Sequence, residues 1–417
     1  MSEFVHSVSL DVSKCTGCTN CVKRCPTEAI RVKDGRAVIE SAKCIDCGEC
    51  IRVCPRKAKT ASSDSFEIIK DYKYKIALPA PALYGQFDHL EDIDYVLNGL
   101  LECGFDEVFE VARAAELVTE YTREHLKKPD IPKPIISSAC PAVVRLISVR
   151  FPSLCENVLP ILAPVEYAAR IAKNKALEEH PELKEEDIGA FFISPCPAKV
   201  SYVRQPIGVE KSAIDGVISI KEMYFKLVPV MNKIKHPEPL SQSGRIGVSW
   251  AGSGGEASAL YNSQYLAADG IENVIKVLEE IENKSFGRLQ FVELNACYGG
   301  CVGGCLNVEN PYISKARLHI IRRYLPVSNV DTARENRKHF GTYKWKTPLA
   351  QSYVLRLDED MATAMRKMAK IKDLERLFRG KDCAACGAPS CHALAEDIVQ
   401  GKAKLSDCVF CREEDDH

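Results

Sequence analysis

The sequence predicts a mixed α/β protein in which a central domain with parallel sheets lies between two small cysteine-rich segments. In the middle of the chain, short apolar runs alternate with longer segments of helical apolar spacing, a pattern typical of parallel strands joined by helices. The twenty cysteines fall in short-spaced groups. A length of 417 residues allows two or three domains. We therefore divide the chain into residues 1–72, 73–355 and 356–417.

The charge pattern excludes several classes of partner. The formal net charge is -1, and the chain shows neither a basic stripe for nucleic acid nor an acidic tail. The first residues lack the basic and apolar regions of a secretory signal. No apolar run approaches the roughly 20 residues that span a bilayer. We expect a soluble, cytoplasmic protein that binds neither nucleic acid nor membrane; the sequence indicates no oligomeric state.

The cysteines of a cytoplasmic chain predict metal sites rather than disulfides. Closely spaced thiols can face one inorganic core, which is what shared metal coordination requires. Residues 1–72 contain two runs of the form C-x2-C-x2-C-x3-C-P, and these are Cys15, Cys18, Cys21 and Cys25, then Cys44, Cys47, Cys50 and Cys54.

In runs of this form three thiolates surround one [4Fe–4S] cluster, and the fourth ligand comes from the other run. We assign one cluster to Cys15, Cys18, Cys21 and Cys54, and a second to Cys44, Cys47, Cys50 and Cys25. Two zinc sites are the alternative, but zinc needs only four ligands and rarely uses this run twice. The segment is thus a ferredoxin-like module that passes single electrons.

The central domain is predicted from its apolar periodicity. The runs that we interpret as buried strands are Lys75–Leu78, Glu107–Val111, Pro134–Ile136, Gly189–Ile193, Arg245–Trp250 and Leu289–Glu293. Helical spacing is seen at Ile93–Leu101 and Val165–Leu177.

Four cysteines follow predicted strands directly, and these are Cys140, Cys196, Cys297 and Cys301. In open α/β sheets, active sites lie at the carboxyl ends of strands. Pro141 and Pro197 suit the first position of a following helix, whose free N–H groups favour an anionic cluster. Each thiol taken singly would more often be a buried core residue. Their glycine-rich surroundings, however, permit close approach of the backbone to a bulky group.

The motifs around these cysteines resemble those of the iron-only ([FeFe]) hydrogenases. The family's three signatures read roughly T-S-C-C-P, M-P-C-x-x-K-x-x-E and E-x-M-x-C-x-x-G-C-x-x-G-G-G-x-P. The corresponding segments of this chain are residues 137–141 (SSACP), 194–199 (SPCPAK) and 293–305 (ELNACYGGCVGGC). The glycine turn at 250–255 is also similar. The resemblance covers residues 1 to about 325 and implies a two-lobed α/β domain.

The resemblance implies an H-cluster, in which a [4Fe–4S] cubane is bridged by a cysteine to a two-iron subcluster carrying CO, cyanide and azadithiolate. Cys140, Cys196, Cys297 and Cys301 would hold the cubane, and Cys301 would form the bridge. Lys199 matches the lysine that contacts a cyanide ligand. The reaction implied is H2 = 2H+ + 2e−, with electrons relayed through the other clusters.

Several positions depart from the family pattern. Ala139 stands where efficient members have a cysteine that shuttles protons, and a methyl group cannot carry a proton. Ser194 and Asn295 replace the signature methionines that border the cofactor. Glu120 or Glu124 could continue the proton path, and the sequence does not decide between them. These departures resemble the sensory branch of the family, which implies slow turnover and a hydrogen-sensing role.

The last segment begins with a predicted helix at Met361–Leu377 and ends in a cysteine group of spacing C-x2-C-x4-C-x16-C. The four thiols are Cys383, Cys386, Cys391 and Cys408. The spacing resembles that of a small [4Fe–4S] domain, and a zinc site with four cysteines is the alternative. The thiols left unassigned are Cys103, Cys155, Cys305 and Cys411.

The expected cofactors are therefore three [4Fe–4S] clusters and an H-cluster. The expected partners are H2, protons, and a ferredoxin or signalling protein that exchanges electrons. The competing hypotheses are a non-catalytic hydrogenase-like protein used in cluster assembly, without the two-iron subcluster, and a plain electron carrier. Lys199 together with the close pair Cys297 and Cys301 favours the enzyme.

Overall fold

The computed structural model describes residues 6–329, 343–352 and 356–411. These residues form two compact units. One combines the chain up to Ala61 with the chain from Gln351 onward, and the other spans Ser62–Ala350.

The described part of the chain contains short strands, which are β1 (Val8–Leu10), β2 (Ile30–Lys33), β3 (Arg36–Ile39), β4 (Lys59–Ala61), β5 (Tyr74–Pro79), β6 (Glu107–Val108), β7 (Ile135–Ile136), β8 (Ile188–Ser194), β9 (Gly216–Ser219), β10 (Tyr265–Asp269) and β11 (Phe291–Asn295).

The α-helices of the described residues are α1 (Asn20–Lys23), α2 (Glu49–Arg52), α3 (Asp94–Glu102), α4 (Val111–Leu126), α5 (Pro141–Arg150), α6 (Pro164–Glu179), α7 (Pro197–Arg204), α8 (Ile220–Met231), α9 (Arg245–Ser249), α10 (Gly255–Ala259), α11 (Ile271–Glu282), α12 (Pro311–Ile321), α13 (Met361–Leu377) and α14 (Cys391–Val399). Short 3-10 turns lie between them, including Pro81–Gln86 and Cys301–Gly303.

Two parallel sheets organise the larger unit, which confirms the predicted mixed α/β class. One sheet has the strand order β6-β5-β8-β9 and the other the order β10-β11-β7. Every residue of β8 is buried, as expected for a strand covered on both faces. β9 and β10 were not among the predicted strands.

The prediction of a strand at Arg245–Trp250 is wrong, because residues 245–249 form α9. Its first amides are satisfied by a buried carboxylate: Glu116 Oε1 accepts hydrogen bonds from Gly244 N (2.6 Å) and Gly247 N (3.2 Å). An anion at a helix start is favourable, and the distant Glu116 supplies one here. The predicted strand Glu107–Val111 is likewise shorter, since Val111 begins α4.

The smaller unit is built on two antiparallel pairs of strands. β1 pairs with β4, while β2 and β3 form a hairpin. α13 and α14 pack on each other around a core that includes Ile371, Leu374 and Ala393.

The grouping of the chain differs from the division that the sequence suggests. Residues 1–72 and 356–417 were separated in that division, whereas the structure joins most of both in one unit and begins the other at Ser62. The buried ion pair between Arg31 and Asp397, with 2.6 Å between Nε and Oδ2, is one reason for this grouping. Residue 355, the predicted boundary, lies outside the described residues. In the part of the chain that the structure describes, no helix is long and apolar enough to cross a membrane.

Candidate metal centres

The four cysteines of the central domain lie where strands end. Cys140 follows β7 and caps α5, while Cys196 follows β8 and caps α7. Cys297 follows β11, and Cys301 begins the next 3-10 turn. Because β7 and β11 are parallel neighbours, their carboxyl ends lie side by side.

The electrostatic interactions show that these thiols converge. Cys140 interacts with Cys297, and Cys196 interacts with Cys297, Cys301 and Cys140. Burial raises the pKa of the Cys140 and Cys196 thiols. Hydrogen bonds from the amides of Ala296 and Val143 oppose that rise at Cys140. The site therefore combines buried thiols with backbone donors, a combination suited to thiolates bound to metal.

Lys199 points at the same group of thiols. Its Nζ lies 3.3 Å from Cys301 Sγ. Burial by itself lowers the pKa of Lys199, but the thiols of Cys301 and Cys196 outweigh it, so that the pKa lies above its ordinary value. The ammonium group is therefore held in its charged form beside the predicted bridging cysteine.

Glycines let the loop after β11 pass close to its neighbours. Gly300 has a φ of 89°, and a Cβ there would lie 2.5 Å from Ser253 N. A Cβ on Gly304 would lie 2.1 Å from the carbonyl oxygen of Pro195, which precedes Cys196. The turn that carries Cys301 can therefore reach the loop of Cys196 only because side chains are missing here.

A cavity of about 60 Å³ adjoins Cys301. Its wall is mostly apolar, with Ala139, Phe192 and Trp250 among its members. At roughly 10–15 Å³ per water, this space exceeds what one water molecule needs. The polar groups of the wall are Lys199, Glu256, Glu293 and Asn295.

Two buried carboxyl groups border this cavity, and the sequence reasoning did not identify either one. Glu256 is 4 % exposed and Glu293 is 3 % exposed. Burial raises the pKa of Glu256, with repulsion from Glu293 as a further cause. Burial also raises the pKa of Glu293, although hydrogen bonds from the amides of Ala257 and Gly254 counter it.

Hydrogen bonds connect Glu256 with the loop of Ala139. Ser137 Oγ donates to Glu256 Oε2 at 2.6 Å and accepts from the Ala139 amide at 3.1 Å. Asn295 Nδ2 donates to Glu293 Oε1 at 2.8 Å. Glu293 is the first residue of the third signature, and that position could have identified it as a site residue. For Glu256 the only sequence signal was the glycine turn at 250–255 that precedes it.

The ferredoxin-like runs line two further cavities. One is lined by Cys15, Cys18, Cys21 and Cys54, and the other by Cys25, Cys44, Cys47 and Cys50. In each cavity the fourth thiol comes from the other run. Burial raises the pKa of Cys44 and Cys47. His6 and Asp46, which the sequence reasoning did not include, have ligand atoms within 4.8 Å of each other and of Cys44 Sγ.

The C-terminal thiols also surround one cavity. It is lined by Cys383, Cys386, Cys391 and Cys408 together with Phe410. Burial raises the pKa of Cys386 and Cys391. Clustered, mostly half-buried thiols without disulfide partners suit iron–sulfur or zinc coordination.

Comparisons with known proteins decide the family. The model described as the iron-only hydrogenase large subunit, C-terminal domain, matches residues 73–305. The chain belongs to the iron-only hydrogenase family. A 4Fe-4S dicluster domain model matches residues 7–55, and a model described as a putative Fe-S cluster matches residues 380–410.

Two curated hydrogenases are similar to this family member. The periplasmic [Fe] hydrogenase large subunit of Nitratidesulfovibrio vulgaris is 31 % identical over 214 residues, 47 % of this chain and 51 % of that protein. Iron hydrogenase 1 of Clostridium pasteurianum is 23 % identical over 380 residues, 73 % of this chain and 65 % of that protein. The chain thus spans less than two thirds of either relative.

Solved structures of hydrogenases also resemble the chain. A variant of an [FeFe]-hydrogenase from Chlamydomonas reinhardtii has a TM-score of 0.49 and 18 % sequence identity, covering 67 % of this chain and 92 % of that one.

Of the three positions predicted to bind the cofactor of this hydrogenase domain, Lys199 and Asn295 line the cavity and Ser194 does not. The Ser194 hydroxyl instead accepts a hydrogen bond from Cys196 N (3.3 Å) and donates one to Cys196 O (3.1 Å). Ser194 therefore shapes the turn that carries the predicted ligand Cys196 and does not line the cavity.

Neither glutamate proposed for the proton path of the hydrogenase domain lines the cavity. Glu120 pairs with Arg123 on α4. Glu124 pairs with Lys127 at 2.6 Å, and its side chain is 63 % exposed. α4 reaches the cavity through Val111 and Ala115, and both glutamates lie beyond these residues towards the end of the helix.

The chemistry of the donors fits the iron–sulfur clusters of the family. Soft thiolates are the ligands that such clusters take, and four of them meet in the hydrogenase domain beside a cation and a small apolar cavity. Of the unassigned thiols, Cys155 is buried, while Cys411 packs on the C-terminal core.

Proposed function

We propose that the chain catalyses H2 = 2H+ + 2e− at an H-cluster held by Cys140, Cys196, Cys297 and Cys301, slowly and in a hydrogen-sensing role. The observation that carries the proposal is the contact of Lys199 Nζ with Cys301 Sγ, two residues that both line the cavity. A cation, the thiol predicted to form the bridge and a mostly apolar space lie together there, an arrangement that suits a two-iron subcluster with anionic ligands.

The bound H-cluster would supply the open iron at which H2 is cleaved heterolytically. Lys199 would orient an anionic ligand through its ammonium group, which stays charged because nearby thiols raise its pKa. The apolar wall, including Phe192 and Trp250, would exclude water from the reacting site.

Proton transfer would use Glu256 in place of the missing cysteine. Its raised pKa keeps this carboxyl group protonated at higher pH than an exposed glutamate, so it can hold a proton at the wall of the cavity. Ser137 fixes its Oε2 atom. Residue 139 is an alanine and offers no titratable group to the cavity, which agrees with slow proton delivery and slow turnover.

The further cofactors we propose are three [4Fe–4S] clusters, at the two ferredoxin-like sites and the C-terminal site. The electrons would pass to a ferredoxin or a signalling protein, as suits a cytoplasmic sensor.

Infrared spectroscopy tests the proposal. We expect the anaerobically matured protein to show CO and CN stretching bands that shift under H2. Lys199→Met should weaken or abolish the bands, whereas Lys199→Arg, which keeps the charge, should retain them with shifted frequencies.

The absence of any such band after maturation would overturn the proposal. A protein with cubane iron but no bands would instead be a cluster-assembly or carrier protein, the alternative that Ala139 also allows.

A further inference from the structure

The two ends of the chain are joined by a buried ion pair. Arg31 lies on β2, and Asp397 lies on α14, the helix that begins with the predicted ligand Cys391. The distance from Arg31 Nε to Asp397 Oδ2 is 2.6 Å, and the two side chains are 4 % and 9 % exposed. Arg31 Nη1 also donates to Glu28 O at 2.7 Å. This buried ion pair holds β2 and α14 together, since removal of either partner would leave an uncompensated buried charge.

A backbone contact joins the same two segments next to the ligands. Val32 N donates to Gly387 O at 2.9 Å, and Gly387 directly follows Cys386. Gly387 has a φ of +86°, and a Cβ there would lie 2.2 Å from Val32 O. The loop of the C-terminal ligands thus covers the backbone edge of β2 that the β2–β3 hairpin leaves open.

β2 borders both ferredoxin-like cavities, and its residue that contacts Gly387 borders one of them. Val32 lines the cavity of Cys15, Cys18, Cys21 and Cys54. Its partner across the hairpin, Ala37, has its amide 3.5 Å from Cys15 Sγ. β2 also borders the other cavity, through Ile30, whose carbonyl oxygen accepts from Arg31 Nη1 at 3.2 Å. The backbone contact with Gly387, next to the C-terminal ligand Cys386, is however made at Val32, which lines the cavity of Cys15.

We propose that the C-terminal cysteine domain is a docked part of the ferredoxin-like module and that its cluster exchanges electrons with the cluster at Cys15, Cys18, Cys21 and Cys54. One electron passes from a reduced [4Fe–4S] centre to its oxidised neighbour, with no proton transferred and no bond broken. The peptide of Gly387 and the backbone of Val32 form the short link between the two ligand sets. This proposal concerns only the cluster sites, and it does not depend on whether the protein reacts with H2.

Magnetic coupling between the reduced clusters tests the proposed neighbour. We use the full-length protein, reconstituted with iron and sulfide but without the two-iron subcluster, reduced with dithionite and studied by EPR. Cys47→Ser removes one ferredoxin-like cluster and leaves the Cys15 site. Cys18→Ser removes the cluster at the Cys15 site and leaves the cluster at the Cys44 site. Cys391→Ser is then added to each to remove the C-terminal cluster.

In the Cys47→Ser protein, adding Cys391→Ser should slow spin relaxation and remove line broadening. In the Cys18→Ser protein, the same addition should change the spectrum less. An equal or larger change in the Cys18→Ser protein, or no change in either, would refute the proposed neighbour. Because no H2 is used, this outcome is independent of the hydrogenase proposal.

A second measurement needs no cluster removed. Hydrogen exchange of the Val32 amide should speed up at least about tenfold in Asp397→Asn, because the ion pair keeps the hydrogen bond from Val32 N to Gly387 O formed. Lys402→Met is the matched control, since it removes the more exposed contact with Glu40 (3.3 Å) and should leave the Val32 amide protected. Unchanged exchange in Asp397→Asn would show that the domain is not docked through this pair.

Discussion

At the residue scale, a few side chains around Cys301 decide what the central site can do. Lys199 supplies the positive charge, and Ala139 removes a titratable group from the wall. Glu256 and Glu293 bring two buried carboxyl groups within electrostatic reach of each other. Because burial disfavours the charged form, both carboxyl groups have a raised pKa and keep their protons to higher pH than an exposed glutamate does.

Restoring a thiol at residue 139 should accelerate turnover. We expect Ala139→Cys to raise the rate of H2 production by about tenfold or more, since a positioned acid–base group typically contributes about 10²–10⁴-fold. The measurement is H2 evolution by the matured protein with a reduced electron donor. Ala139→Ser is the control of similar size, and its weakly acidic hydroxyl should give a much smaller gain. Equal rates in all three proteins would argue against proton delivery as the limiting step.

Glu256 should make stability depend on pH. Its folded-state pKa lies well above the ordinary value of 4.5, so the folded protein keeps the proton where the unfolded chain loses it. The free energy of unfolding should therefore fall as the pH rises from about 4.5 towards the folded value, by at most about 1.4 kcal/mol per pH unit.

Glu256→Gln should flatten this pH dependence and slow H2 turnover about 10²-fold. Denaturant titrations at several pH values measure the first effect, and H2 assays measure the second. Glu124→Gln, at an exposed surface pair, should change neither. A flattened stability profile with full turnover would leave Glu256 a structural role only.

At the scale of elements, the central site depends on loops that follow parallel strands. β7, β8 and β11 each end two to four positions before a predicted ligand, and α5 and α7 begin directly after Cys140 and Cys196. Strands position the ends of these loops, but the close approach of the loops depends on glycine.

Gly304 should be intolerant of a side chain. The Cβ of Gly304→Ala would lie 2.1 Å from Pro195 O, a backbone atom that cannot move without shifting Cys196. We expect a loss of about 1–3 kcal/mol in the free energy of unfolding, as for other overpacked sites, and weaker iron retention. Gly287→Ala is the control, since nothing lies within 4 Å of its Cβ. Wild-type stability in Gly304→Ala would show that the loops adjust freely.

At the scale of the whole molecule, sixteen of the thiols form four groups. The two ferredoxin-like groups and the central group each bring together thiols from separate parts of the sequence, whereas the C-terminal group comes from one segment. The C-terminal group shares a unit with the two ferredoxin-like groups, and the fourth lies in the larger unit.

The metal content should reflect these four groups. We expect anaerobic reconstitution to give about 16 iron atoms per chain before the two-iron subcluster is inserted, as four cubanes require, and no zinc. Cys408→Ser should lower the iron content by about four, whereas Cys103→Ser, which changes a thiol outside every group, should not. Zinc in the wild-type protein that Cys408→Ser eliminates would identify the C-terminal site as a zinc site.

The sequence alone determined the fold class and the family, because cysteine spacing and strand–helix alternation are local patterns. The regular spacing of the two ferredoxin-like runs and the Pro after Cys140 and Cys196 are properties of neighbouring residues, and the structure has helices beginning at both prolines. The same local reasoning failed at α9, where the distant Glu116 supplies the capping carboxylate.

Only the tertiary structure decided which polar groups reach the central cavity and where the C-terminal domain lies. Glu256 and Glu293 are 37 positions apart in sequence by their numbers, and each has a raised pKa because folding buries both. Glu120 and Glu124 were plausible from sequence, yet the course of α4 leaves them outside the cavity wall. Arg31 and Asp397 meet near opposite ends of the chain. Burial and long-range contact are properties of the folded chain, and no spacing rule contains them.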